Sequence, residues 1–252
     1  SSDFDSLIAK VITVGEDRRE SIARLACALR DFELVVEGGA TNKGYLLDIL
    51  PAKLAAAAEL KVVRRANWLM ICDVDEFLVI HRGAGKIGDL LDLGAAPPYL
   101  GMSLNWRVFG TSGLQAFVDA PVHRQFVYGL RKTAMLSRTV KSIFNQVNRF
   151  ERLTEHSPCG YDFAKAGKVC GDPGMAWVNC EGQPLTEWSP GPRHIHLMQR
   201  NRVSYEVAQI NHYMLRSEEP FSLKYRTPSP VALRNRYTRW YFKRANSGEA
   251  MD

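Results

Sequence analysis

Three carboxylates, Asp73, Asp75 and Glu76, fall within four residues, directly after the apolar run Trp68 to Cys72. The run is too short for an ordinary helix and reads as a central strand buried on both faces. In an α/β sheet, ligands bind beyond the carboxyl ends of parallel strands, which is where these acids stand. Asp73 and Asp75 lie two apart, so in a tight turn both could reach one hard cation through oxygen. Mg²⁺ or Mn²⁺ suits such donors, since both take carboxylate, water and phosphate oxygens. The chemistry expected is metal-assisted handling of a nucleoside diphosphate. The competing reading is a solvated acidic turn.

The elements that would position these acids lie on both sides. Leu7 to Val14 reads as a first strand, and Arg18 to Arg30 as a helix with Ile22, Leu25, Ala26 and Leu29 on one face. Phe32 to Val36 is a second strand, stopped by Gly38-Gly39, a weak phosphate-loop hint. Tyr45 to Ala66 is mostly helical, with a break at Pro51. With Trp68 to Cys72 this makes a β-α-β-α-β series, hence a mostly parallel sheet flanked by helices. Beyond the acids, Phe77 to His81 extends and Ile87 to Leu93 forms a short helix closed by Gly94. In the strand Tyr99 to Gly110, Met102, Leu104, Trp106 and Val108 alternate with Ser103, Asn105 and Arg107, implying one buried and one wet face. Residues 115 to 192 are irregular, with short strands at Thr139 to Phe144 and Met175 to Val178. Glu206 to Leu215 is a further strand; Ser217 suits an N-cap, with Glu218 and Glu219 at the positive end of the next helix. Val231 to Arg244 is a basic, aromatic helix that packs on the domain by its rings or, alternatively, contacts anionic lipid peripherally.

The 252 residues suffice for one domain, divided as a nucleotide-binding half (1–98), an acceptor-side half (99–230) and a basic C-terminal helix (231–252). A net charge of +6 favours anionic partners. Five cysteines without a tandem Cys-x-x-Cys point to reduced thiols and a cytoplasmic setting, if need be at the periphery of the inner membrane. No run approaches a membrane span of about 18 apolar residues, and no helix-turn-helix, zinc-finger or RNP pattern supports nucleic-acid binding.

Three segments, W-L-M-I-C-D-V-D-E-F-L, S-L-N-W-R-V-F-G-T-S-G and N-H-Y-M-L-R-S-E-E-P-F-S-L-K-Y-R, occur in this order between Trp68 and Arg226. Together they resemble the bacterial glycosyltransferase family-two-like proteins of the D-x-D-E-F signature. The resemblance implies a GT-A-like, Rossmann-like fold, a nucleotide-sugar donor, Mn²⁺ or Mg²⁺, and a glycan or lipid-linked acceptor of envelope polysaccharide synthesis. The opening departs from that pattern: V-I-T-V-G-E-D-R-R-E stands where an Asn-Asp-x-x-Asp-Gly-Thr-like segment is usual, with Glu16-Asp17 as a substitute.

Within that reading Asp75 is the direct metal ligand, and Asp73 reaches the ribose or a metal-bound water. His212 is the third ligand, His156 its competitor, and His194 with His196 a second candidate pair. A Cys₃His zinc site from His156, Cys159, Cys170 and Cys180 competes with plain buried thiols. An inverting transfer needs a base, for which Glu219 is named, with Glu218 and Glu155 behind it. Lys141, Lys224 and Arg226 are the diphosphate contacts. Asn105, Trp106 and Arg107, with His156, form a sugar platform for the acceptor, the alternative for Trp106 being the core. The rivals to an active transferase are a degenerate nucleotide- or glycan-binding relative and a nucleic-acid-binding protein.

Overall fold

In a computed structural model of the chain, the structure describes residues 57–93, 98–167, 175–189, 191, 193–226, 238–247 and 249–250. All belong to the unit Leu50–Asp252. The strands expected at Leu7 to Val14 and Phe32 to Val36, the helix Arg18 to Arg30, Gly38-Gly39, Glu16-Asp17 and Cys170 lie outside the described residues, as does most of Tyr45 to Ala66.

In chain order the elements are α1 (Lys61–Arg64), β1 (Leu69–Met70), β2 (Glu76–Ile80), α2 (Ile87–Leu91) and β3 (Tyr99–Val108). Next come α3 (Val122–Gln125), β4 (Tyr128–Gly129), β5 (Val140–Phe144), β6 (Phe150–Arg152), β7 (Cys159–Tyr161) and α4 (Phe163–Ala166). The series ends with β8 (Ala176–Asn179), β9 (Ala208–His212), α5 (Glu218–Arg226), α6 (Arg239–Ala245) and β10 (Glu249–Ala250).

Six strands form the main sheet, along the path β1-β5-β3-β9-β2 with β8 added to β3. Pairings β1–β5, β3–β5 and β2–β9 are antiparallel, while β3–β8 and β3–β9 are parallel. Among the described residues the fold is therefore mixed α/β with a curled, mostly antiparallel sheet and few helices, in place of the mostly parallel arrangement expected. The run Trp68 to Cys72 is corrected too. Only Leu69–Met70 is strand; it is half-buried and, among the described residues, sits at one end of the path against β5.

That position fixes the curl. β1 and β2 occupy opposite ends of the path, although only residues 71–75 join them. Five strands laid flat would hold those ends about 19 Å apart at the usual spacing, close to the full reach of so short a link. The link is instead turned, the Glu76 N–H donating to the Asp73 carbonyl at 3.1 Å. Curling brings both ends of the sheet to the acidic turn.

β3 is the spine. Its first half lies between β5 and β8, and Trp106 to Val108 pair with β9. The alternation along it does not produce a wet face, because Ser103 and Asn105 are as buried as Met102 and Leu104. Ser103 Oγ lies 2.9 Å from Ser142 Oγ and accepts from the Trp177 indole at 2.8 Å. The Asn105 amide donates to the Ser137 carbonyl at 3.0 Å. A buried polar group costs little once it is hydrogen-bonded, and these side chains are. On the opposite side Leu90, Met102, Leu104, Ile143, Val178 and Ile210 form one apolar cluster.

Residues 231–237 of the expected C-terminal helix lie outside the described residues; α6 opens where the Thr238 hydroxyl accepts from the Tyr241 N–H. Tyr241 and Phe242 pack against the core, while exposed Trp240 carries the Arg244 guanidinium 4.4 Å from its ring centre. Among the described residues no helix is long and apolar enough to cross a membrane.

Candidate functional site

The acidic turn meets β5 at Lys141, a lysine with no solvent exposure. Its ammonium lies 2.9 Å from Asp73 Oδ2 and 3.1 Å from Glu76 Oε2. Glu76 Oε2 also accepts from the Asp73 N–H at 2.9 Å. Burial alone would lower the lysine pKa, but the two carboxylates outweigh it and hold the pKa above its ordinary value. Glu76 is pushed the other way from a surface acid: burial raises its proton affinity, and Lys141 offsets this only in part.

On the neighbouring strand, His212 stands directly across from Glu76 in the β2–β9 register. Its Nε2 lies 3.5 Å from Asp75 Oδ1, and its ring meets Trp106 edge-on at 4.1 Å between centres. Trp106 in turn lies 5.7 Å from His156, whose ring is 4.4 Å from that of His196. Three buried polar atoms of this centre find no partner among the described residues: Glu76 Oε1, His212 Nδ1 and Trp106 Nε1. Orphaned polar atoms of this kind cost about 1–3 kcal/mol each unless a ligand or water satisfies them, so their gathering marks a site.

Of the expected metal set, then, Asp73 is bound to Lys141, and Asp75 lies against His212. Among the described residues no group of three or more His, Cys, Asp or Glu side chains could hold a metal ion. Lys141, expected to contact a diphosphate, is buried with its ammonium between two acids. Asn105 is a core amide, bonded to Ser137 and accepting from the Ser204 N–H at 3.4 Å. Glu219 is exposed and accepts from the Phe117 N–H at 2.8 Å, tying down a loop. Exposed Glu218 and Glu155 lie at α5 and before His156. The side chains of Lys224 and Arg226 lie outside those described. The thiols offered for zinc have other partners, Arg152 with Cys159 and the Ser204 carbonyl with Cys180. The buried acid-base centre of Lys141 and Glu76 was not foreseen; its signals were a lysine inside an apolar strand and the third acid of the turn.

His156 Nδ1–H donates to the Val140 carbonyl at 2.9 Å, and burial pushes its pKa down to about 4. The unfolded value is near 6.5, so the stability this neutral ring contributes is complete above pH ~6.5 and lost as pH falls through 4. We expect the loss to reach at most about 3 kcal/mol. Urea unfolding at pH 7 and pH 4.5 measures it. His156→Gln should flatten that part of the profile, and an unchanged profile would refute the assignment.

Arg107, next to Trp106, points to the other face of β3. It lines a cleft of about 650 Å³ with Arg131, Lys132, Tyr205 and Gln209 among its neighbours. The guanidinium lies 5.2 Å from the Tyr205 ring centre, and the Tyr205 hydroxyl donates to the Trp106 carbonyl at 2.8 Å.

Compared with known proteins, residues 1–63 match the family model of the biotin carboxylase C-terminal domain. No curated protein matches the chain. The match covers a quarter of the sequence, and it includes the segment V-I-T-V-G-E-D-R-R-E that departs from the glycosyltransferase pattern. It overturns the reading of the chain as a glycosyltransferase enzyme, and the nucleotide-sugar donor and glycan or lipid-linked acceptor that went with it. The manganese-binding role of the D-x-D acids falls with them. The physical reason is that the nucleotide-holding half of the expected site is assigned to a stretch similar to another family, while the D-x-D acids engage Lys141 and His212.

Proposed function

We propose that the chain has a carboxylase- or ligase-type function of the ATP-grasp-associated kind. The observation that carries this reading is the match over residues 1–63. Biotin carboxylase-type proteins use ATP with Mg²⁺ or Mn²⁺, so a divalent cation is compatible with the reading. The described residues do not fit a protein-built cation cage. They fit a cation that arrives with the nucleotide, because Mg²⁺ commonly needs only one or two carboxylates beside phosphate oxygens and water. Asp75 is the carboxylate proposed for that contact, with His212 orienting it.

The chain's own groups would then divide the work. Lys141 fixes the turn and neutralises Asp73. Glu76, with proton affinity raised by burial and Oε1 unbonded, holds or moves a proton at that atom. Trp106 Nε1–H offers a donor to a ligand entering between the two histidines.

The test is ADP release from ATP and Mg²⁺, with and without bicarbonate and free biotin. Bicarbonate-dependent turnover is expected, with Glu76→Gln lowering it by about 10²-fold or more while ATP binding persists. A full-length protein that neither binds ATP nor hydrolyses it under these conditions refutes the proposal.

A further inference from the structure

We propose that the cleft beneath Arg107 binds a small phosphate monoester carrying a hydroxyl group. The inference does not rest on the ATP reading. The strand alternation places Arg107 and Gln209 on the face of β3 and β9 opposite to Trp106, His212 and the Lys141 centre. The cleft, about 650 Å³, is of the size that takes a small ligand.

Its chemistry is specific. Arg107, Arg131 and Lys132 bring three cations to one cavity, against the single acid Glu206. Arg107 is held from one side by the Tyr205 ring, and its Nε is buried without an acceptor among the described residues. A guanidinium positioned by an aromatic face and short of an acceptor is suited to a phosphate, which it can grip through two parallel N–H bonds.

A second, independent atom calls for the other half of the ligand. Gln209 is 2% exposed. Its amide nitrogen donates to Asn211 Oδ1 at 2.6 Å, while its Oε1 has no donor. No hydrogen bond joins this oxygen to Arg107 Nε, which is also left without a partner. A ligand hydroxyl donating to Gln209 Oε1, on a molecule whose phosphate lies against Arg107, satisfies both atoms at once. Exposed Arg131 and Lys132 at the rim would attract the anion and make its capture sensitive to salt.

The probes are glycerol 3-phosphate and inorganic phosphate, titrated calorimetrically into the whole chain at low and high salt. Glycerol 3-phosphate should bind one to one and more tightly than phosphate. Arg107→Gln should weaken both ligands by about tenfold or more. Gln209→Leu should weaken glycerol 3-phosphate alone, and the exposed variant Lys132→Ala should weaken both by a few-fold at low salt with the fold undisturbed. Failure of the wild-type protein to bind either probe overturns the proposal, as does equal binding by the Arg107 and Lys132 variants. ATP hydrolysis in the same samples is scored separately, so the two proposals fail independently.

Discussion

Lys141→Met is expected to cost about 3–5 kcal/mol of stability, enough to unfold a domain of ordinary stability. The two ion pairs contribute unequally. Asp73 is 43% exposed at its side chain, and solvent screens its attraction to the lysine. Glu76 has no exposure, so removing the ammonium leaves a carboxylate in the interior with one oxygen already unbonded. Most of the loss should therefore come from Glu76. The variant can reduce it by taking up a proton, so its deficit should shrink as pH falls. Adding Glu76→Leu should recover most of the stability, because an apolar pair of similar volume replaces the buried ions. In the wild type the lysine pKa is raised, so its contribution is complete below the ordinary lysine value of ~10.4 and is lost only as pH rises through the higher folded value. Urea titrations of the single and double variants check all of this; a single variant as stable as wild type at pH 7 would refute the account of the centre.

Gly101 and Trp177 should show the second large effect. The glycine sits in β3 against the Trp177 ring, and an added Cβ would lie 2.5 Å from two of its carbons. That ring is 2% exposed, bonded to Ser103 and stacked on Trp188 at 5.0 Å between centres, so it cannot step aside. Gly101→Ala should cost about 1–3 kcal/mol through overpacking. Trp177→Ala should cost about 3–5 kcal/mol, leaving a cavity and removing one of the two partners of the Ser103 hydroxyl. In the double variant the alanine methyl enters space the indole has left, so the two costs should fall well short of adding. Strict additivity in denaturant unfolding would show that the two residues do not meet.

Much of the strand content was legible, and the pairing was not. The runs behind β2, β3, β5, β8 and β9 are apolar or alternating, and each strand forms within or close to its run. What sequence periodicity lacks is the identity of a partner. Ser103 and Asn105 read as a solvated face because their types are polar, yet Ser142, Trp177 and Ser137 satisfy them in the interior. Lys141 reads as a diphosphate contact for the same reason, since nothing local announces acids 65 and 68 positions earlier. Asp73 and Asp75 read as ligands of a metal, whereas the cation beside Asp73 and Glu76 is an ammonium of the chain itself. The Leu69–Met70 strand was placed at the centre because hydrophobicity measures burial and says nothing of the order of strands. The inferred family fared worst, since short motifs in the second part of the chain could not speak for residues 1–63.

Trp106 and Arg107 are consecutive residues of one spine, yet each serves a different side of the sheet. A single inserted or deleted residue ahead of them would exchange their places, sending the guanidinium among the histidines and the indole into the cationic cleft. Both sites would be lost in one event. The two sides are thus locked in phase by a strand that permits side-chain replacement but no change in length.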